Sequence, residues 1–322
     1  MSSLRTLLGI RHPVLSAPMA GIGGGRLASA VSRAGGLGFI GGGYVHREWL
    51  IEQLALCEGQ PFGVGFIQWA LEEALRQQPD LLNLVLQARP QAVLLSFGSL
   101  GAVGDRVREA GVVLVAQVQT VAQARAAVAA GAQVVVAQGG EAGGHGGLRG
   151  TMALVPAVVD AVSPVPVVAA GGIADGRGLA AALMLGASAV LCGTAFYACE
   201  ESLAHIEAKR RLVQASGDDT AKSPMFDWLR GLSWPDGPWS LRTLRNAFTE
   251  RWAGDLEALR RDLPRQQFAW REAAGRGDFD VAPVIAGEAA DLVRAQRSAA
   301  QVVEDLVQQA ARCLAQRPST LL

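Results

Sequence analysis

Short apolar runs bounded by Gly or Pro alternate along most of this chain with Ala/Leu/Arg segments of helical period. The runs are Val14–Ala17, Gly38–Gly41, Phe62–Ile67, Ala92–Phe97, Val112–Val118, Val134–Gln138, Pro166–Ala170 and Ala189–Cys192. Helical segments lie between them, among them Arg26–Ala34, Glu48–Cys57, Val121–Ala130, Met152–Val162 and Gly178–Leu185. Another follows the last run, from about Glu200 to Ala215. Runs such as Val112–Ala116 and Val134–Ala137 are apolar at successive positions, which suits a strand buried on both faces, as in a parallel sheet. Eight β/α units within about 215 residues predict an α/β fold, a closed (β/α)8 TIM barrel in preference to an open doubly wound sheet.

After Ala215 the texture changes. Ser216-Gly217-Asp218-Asp219-Thr220 reads as a polar turn, and Trp234-Pro235-Asp236-Gly237-Pro238-Trp239 cannot form regular helix. Helical patterns resume over Leu241–Leu263 and Val281–Leu314. Glycine follows the same division: of 39 glycines only seven lie beyond Gly193, whereas five of the seven tryptophans lie at or beyond Trp228. The expected organisation is a barrel over 1–215, a small, mostly helical cap over 216–280, and a C-terminal helix over 281–322 that packs back on the barrel wall.

Composition excludes several function classes. With 50% hydrophobic and 18% charged residues the chain can build a large core and is not globally disordered. Zero formal net charge gives no electrostatic footprint for nucleic acid or an anionic membrane. The four cysteines, Cys57, Cys192, Cys199 and Cys313, form no CxxC pair, so neither a disulfide framework nor a metal site is expected, and a cytoplasmic location is. No signal peptide is expected in Met1–His12. The longest apolar stretch, Met152–Ala174, is broken by Pro156, Asp160, Pro164 and Pro166 and does not read as a membrane span.

Four segments fall where strands end, the face on which barrels place their sites. The first is Ser16-Ala17-Pro18-Met19-Ala20-Gly21, in which Pro18 ends the strand and the following glycines permit close approach of a flat ligand. The second runs from Gln138 to Gly147, through Gly139-Gly140-Glu141-Ala142-Gly143-Gly144-His145. Its setting offers His145 few side chains to pack among, which points to proton transfer or anion binding near neutral pH. Glu141 either orients this loop or His145, or is simply solvated. The third and fourth are Ala169-Ala170-Gly171-Gly172-Ile173 and Cys192-Gly193-Thr194-Ala195. Loops after strands seven and eight often hold a phosphate on backbone N–H groups. Asp175 reads equally as a plain helix N-cap, and Cys192, within an apolar strand, reads as a core residue.

At these segments the chain resembles the nitronate monooxygenase family (formerly 2-nitropropane dioxygenases), and Ala30-Val31-Ser32-Arg33-Ala34-Gly35-Gly36-Leu37-Gly38 matches as well. The His145 loop is also similar to that of the FMN- and NADH-dependent enoyl-acyl-carrier-protein reductases. The resemblance implies an FMN-dependent barrel oxidoreductase. Ala17, Pro18 and Met19 would meet the flavin by backbone, with Gly144 and His145 near its ring. Gln117 and Gln138 would contact the ring or ribityl chain, and Gly171, Gly172, Gly193 and Thr194 would hold the phosphate. His145 matches the family's catalytic histidine, acting on a nitronate or nitroalkane with O2 to give a carbonyl compound and nitrite. The resemblance leaves two alternatives: an NAD(P)H-dependent flavin reductase acting on a quinone or enoyl thioester, and a flavin-binding subunit without its own turnover. The chain departs from the family at Gly65, where an Asn is usual and where Gln68 or a water would have to substitute. With only Tyr44 and Tyr197 it cannot build a tyrosine-lined pocket, and Trp69 is the candidate replacement wall.

Overall fold

A computed structural model describes residues 3–57, 59–235 and 237–316. All eight apolar runs are strands: β1 Val14–Ser16, β2 Leu37–Gly43, β3 Gly63–Ile67, β4 Ala92–Ser96, β5 Val113–Val118 and β6 Val134–Gln138, then, after a short strand β7 (Gly144–Gly146), β8 Val167–Ala170 and β9 Ala189–Cys192. The barrel closes in the order β1-β2-β3-β4-β5-β6-β8-β9, all parallel, with Leu15 opposite Leu191 at the closing seam.

Side-chain alternation divides the core into two. Leu15, Phe39, Leu94, Val115, Val136, Val168 and Leu191 fill the barrel interior, together with Leu4, Leu8 and Ile10 from the N-terminal segment, which plugs one end. Their neighbours Val14, Ile40, Val93, Val135, Ala169 and Val190 face the surrounding helices. Both faces are buried, and this is why the strands are apolar at every position. Helix Ala299–Gln316 packs against helices Gly176–Met184 and Gly25–Arg33 and contributes Val303, Leu306 and Ala310 to the outer core.

Two sequence expectations change. Leu241–Leu263 is not one helix: Ser240–Leu244 is strand β11, followed by helices Ala247–Trp252 and Leu256–Arg261. It pairs antiparallel with β10 (Thr220–Ser223) and with β7, so two strands of the 216–280 region join the His145 loop in a three-stranded sheet. Over Val281–Leu314, helix begins only at Ala299; Pro283 and Gly287 fall in a segment that crosses the strand ends and holds a 3-10 turn over Glu288–Leu292. Among the described residues no helix is long and apolar enough to cross a membrane.

Candidate active site

The C-terminal ends of the barrel strands open into a cavity of about 1200 Å³ that includes open solvent at its mouth. The residues expected to meet the flavin and its phosphate all line it: Ala17, Pro18 and Met19 after β1, Gln117 on β5, and Gln138 with Gly144 and His145 after β6. Gly171 and Gly172 after β8, and Gly193 and Thr194 after β9, complete the set. Cys192 is buried at the end of β9 and its thiol is pushed up to about 12 by desolvation, so it is a core group and not a nucleophile.

His145 is part of the cavity wall. The glycine-rich loop is a strand there: β7 pairs His145 with Leu241 and Gly144 with Arg242 of β11. The imidazole is 7% exposed, and its Nε2 lies 2.8 and 3.0 Å from the two carboxylate oxygens of Asp227, itself 4% exposed on helix Met225–Arg230. A carboxylate only accepts, so it places the ring hydrogen on Nε2 and leaves the lone pair on Nδ1. Burial holds the His145 pKa below its ordinary value, and the hydrogen bond and charge of Asp227 work against that shift. The ring is therefore a neutral base at pH 7.

Aromatic groups wall the imidazole. Trp234 stacks on it, with centroids 3.6 Å apart and planes 18° apart, and Phe97 meets it edge-on at 6.4 Å. Phe97 follows β4 with φ +59°, an uncommon left-handed conformation for an aromatic residue, and packs against both Trp234 and Trp239. Trp69 and Tyr44 join the same cluster, and Trp234 Nε1 donates to the Tyr44 hydroxyl at 3.1 Å.

Polar side chains fix this arrangement. Gln119 Nε2 donates to Gln138 Oε1 at 2.7 Å, and Gln138 Nε2 donates to the His145 carbonyl at 3.0 Å. Gln138 thus spends its amide on the loop, whereas among the described residues the amide of Gln117 has no protein partner. Glu141 orients the loop and not His145: its carboxylate accepts from the Thr151 N–H at 2.9 and 3.0 Å and lies 2.9 Å from the Thr151 hydroxyl. Lys222 donates to the Gly147 carbonyl. The Thr194 hydroxyl accepts from Gly287 N–H at 2.9 Å, which ties the segment crossing the barrel mouth to the end of β9.

Gly171 (φ +99°) and Gly172 (φ +70°) turn left-handed after β8, which a side chain would strain. Among the described residues, no protein group outside the strand ladders accepts from the N–H of Gly172 or Gly193. The nearby helix Gly176–Met184 has its own cap, with Asp175 accepting from Arg177 and Gly178 N–H. Among the described residues no cluster of His, Cys, Asp and Glu could hold a metal ion.

Gly65 explains its own departure from the family pattern. A Cβ there would lie 2.3 Å from Pro18 Cβ and 2.4 Å from its Cγ, so the Pro18 ring occupies the space an Asn side chain needs. Gln68 does not replace it: it lies off the cavity, with Nε2 donating to Glu72. Gly65→Asn is expected to destabilise the fold by about 1–3 kcal/mol through overpacking. An unchanged thermal midpoint would show that Pro18 yields freely.

Sequence reading did not find Asp227, Trp234 or Arg230. One signal for Asp227 was present: it is the only acid in the apolar stretch Met225-Phe226-Asp227-Trp228-Leu229, where a carboxylate is buried only with a partner.

Comparison with known proteins identifies the family. The family model described as nitronate monooxygenase matches residues 1–77 and 66–309. A nitronate monooxygenase of Pseudomonas aeruginosa is 34% identical, over 80% of this chain and 94% of that one. The (3aS,4S,5R,7aS)-5-hydroxy-7a-methyl-1-oxo-octahydro-1H-indene-4-carboxyl-CoA dehydrogenase of Mycobacterium tuberculosis is 36% identical over 70% of this chain, which spans only 63% of that relative's length. The solved structure of FabK from Thermotoga maritima superposes with TM-score 0.84 and 31% identity, covering 100% of both chains. The chain belongs to the nitronate monooxygenase family.

Proposed function

We propose that this protein is an FMN-dependent oxidoreductase that converts alkyl nitronates, such as propionate 3-nitronate, with O2 into a carbonyl compound and nitrite. The observation that carries this reading is the buried His145–Asp227 pair facing a cavity whose β8 and β9 corner presents side-chain-free, unpartnered amides. Those amides suit a phosphate, and the open wall at Ala17, Pro18 and Met19 suits a flat ring. Gly171, Gly172, Gly193 and Thr194 would hold the phosphate, Gln117 would contact the ring, and Gly144 and His145 would lie beside it. When bound, FMN would accept an electron from the nitronate and be reoxidised by oxygen.

The chain's own residues supply the rest. His145 Nδ1 takes the α-proton of a neutral nitroalkane and, once protonated, donates to the nitronate so formed. Asp227 holds the ring by Nε2 and stabilises the imidazolium formed. Trp234 and Phe97 exclude water from the imidazole, which strengthens both interactions. In this reading residues 1–215 form the cofactor barrel, 216–280 the cap and 281–322 the return to the barrel wall. The free thiols of Cys57, Cys192, Cys199 and Cys313 favour a cytoplasmic setting.

Flavin-loaded protein in an oxygen electrode is expected to consume O2 and release nitrite on addition of propionate 3-nitronate. No uptake by the loaded protein would rule the assignment out. A second reading, an NAD(P)H-dependent reductase, is favoured by the likeness to FabK and to the carboxyl-CoA dehydrogenase. Rapid anaerobic bleaching of the flavin by NADH would support it.

A further inference from the structure

Among the described residues lining the cavity, Arg230 alone carries a formal charge, since His145 is neutral. It is half-buried at the last turn of helix Met225–Arg230, one turn beyond Asp227. Among the described residues it has no carboxylate within 4.0 Å; Asp227 is committed to His145. Its guanidinium lies 5.0 Å from the centroid of the Tyr44 ring, which holds the planar group by its face. The Tyr44 oxygen accepts from Trp234 Nε1, so its own O–H is left to donate. The indole of Trp234 is in turn the platform under His145. A cation and a hydroxyl donor thus stand on one wall, a tryptophan's width from the reacting base.

A guanidinium with no carboxylate partner in a half-buried wall is poorly solvated, and its forked donors match the two oxygens of a carboxylate. We propose that Arg230, with the Tyr44 hydroxyl, is the subsite for a carboxylate carried by the substrate at the end remote from the carbon that faces His145. This rests on the nitronate reading and narrows it: the preferred nitronates carry a second, fixed negative charge. The cofactor phosphate belongs elsewhere on the rim, because Gly171, Gly172 and Gly193 follow β8 and β9, whereas Tyr44 follows β2, with β1 between β9 and β2.

The test compares propionate 3-nitronate with ethyl nitronate, which lacks the carboxylate, in flavin-loaded wild type, Arg230→Gln and Arg230→Lys. In Arg230→Gln the ratio of kcat/KM for the two substrates is expected to fall at least tenfold, mostly through KM for the carboxylated one, as for a lost charged hydrogen bond. Arg230→Lys should recover part of it. An unchanged ratio overturns the subsite, as does loss of bound flavin from Arg230→Gln, which would assign the guanidinium to the cofactor. A titration independent of turnover follows tryptophan fluorescence with 3-nitropropionate and with 1-nitropropane. Wild type should favour the carboxylated ligand, and Arg230→Gln should lose that preference. If wild type oxidises neither nitronate yet the titration still depends on Arg230, the reaction assignment fails and the subsite stands. Turnover without any dependence on Arg230 overturns the subsite and leaves the reaction.

Discussion

Asp227→Asn is expected to reduce oxidation of neutral nitroalkanes by on the order of a thousandfold, more than Asp227→Ala. The carboxylate can only accept, and it fixes the ring hydrogen of His145 on Nε2 at 2.8 Å. An amide at that position can donate to Nε2, which would move the hydrogen to Nδ1 and leave no lone pair toward the substrate. Alanine instead leaves the tautomer free and removes the influence that raises the His145 pKa, so burial lowers it further. The active form is the neutral ring, present above its pKa. The acid limb of kcat/KM, below pH 6.5 in wild type, should therefore move to lower pH in Asp227→Ala while the plateau drops, because a weaker base transfers the proton more slowly. His145→Ala should cost at least as much, and the double variant little more than the worse single one. Pre-formed nitronates, which need no deprotonation, should be less sensitive to all three. Wild-type rates from Asp227→Asn on a neutral nitroalkane would remove the dyad from the mechanism.

Gly193→Val is expected to leave the fold intact and to weaken flavin binding by about 3 kcal/mol, on the order of a hundredfold. Gly193 has φ −100°, which any residue adopts, and a Cβ there would meet only Ala17 Cβ at 3.6 Å and Met19 Sδ at 3.9 Å, both ordinary contacts. The added branches would enter the cavity beside the free amides and block their approach to a phosphate. Equilibrium dialysis of FMN, with the melting temperature of the cofactor-free protein as control, reads the two effects separately. Full occupancy in Gly193→Val would move the phosphate away from the end of β9. Gly172→Val is a contrasting case: its φ of +70° adds backbone strain, so loss of flavin there would come with lost stability.

The barrel is legible in the sequence because each of its strands is a short apolar run punctuated by Gly or Pro, and a parallel sheet buries both faces of such a run. The cap strand β11 is not. Leu241 and Leu244 are both buried and stand three residues apart, a spacing that suits one face of a helix; in the strand they point to opposite faces, into different parts of the core. The segment is a strand through its pairing on both sides, with β10 and with β7, and the second partner lies nearly a hundred residues earlier, beyond any local pattern. His145 stands out in the sequence because it is embedded among glycines; its role as the middle of β7 does not.

The sequence by itself determined the barrel, the strand ends that form one face, and the side chains and glycines that converge there. Those follow from local periodicity, since strand order in a (β/α)8 barrel is chain order and the C-terminal ends of its strands must meet. Tertiary structure alone decided the partners. Asp227 reaches His145 across 82 positions, Trp234 stacks on its ring, and Arg230 joins the cavity wall, in a region tied to the loop by the pairing of β11 with β7. A contact between side chains so far apart in sequence is created only by tertiary packing, and the chemistry of His145 is set there.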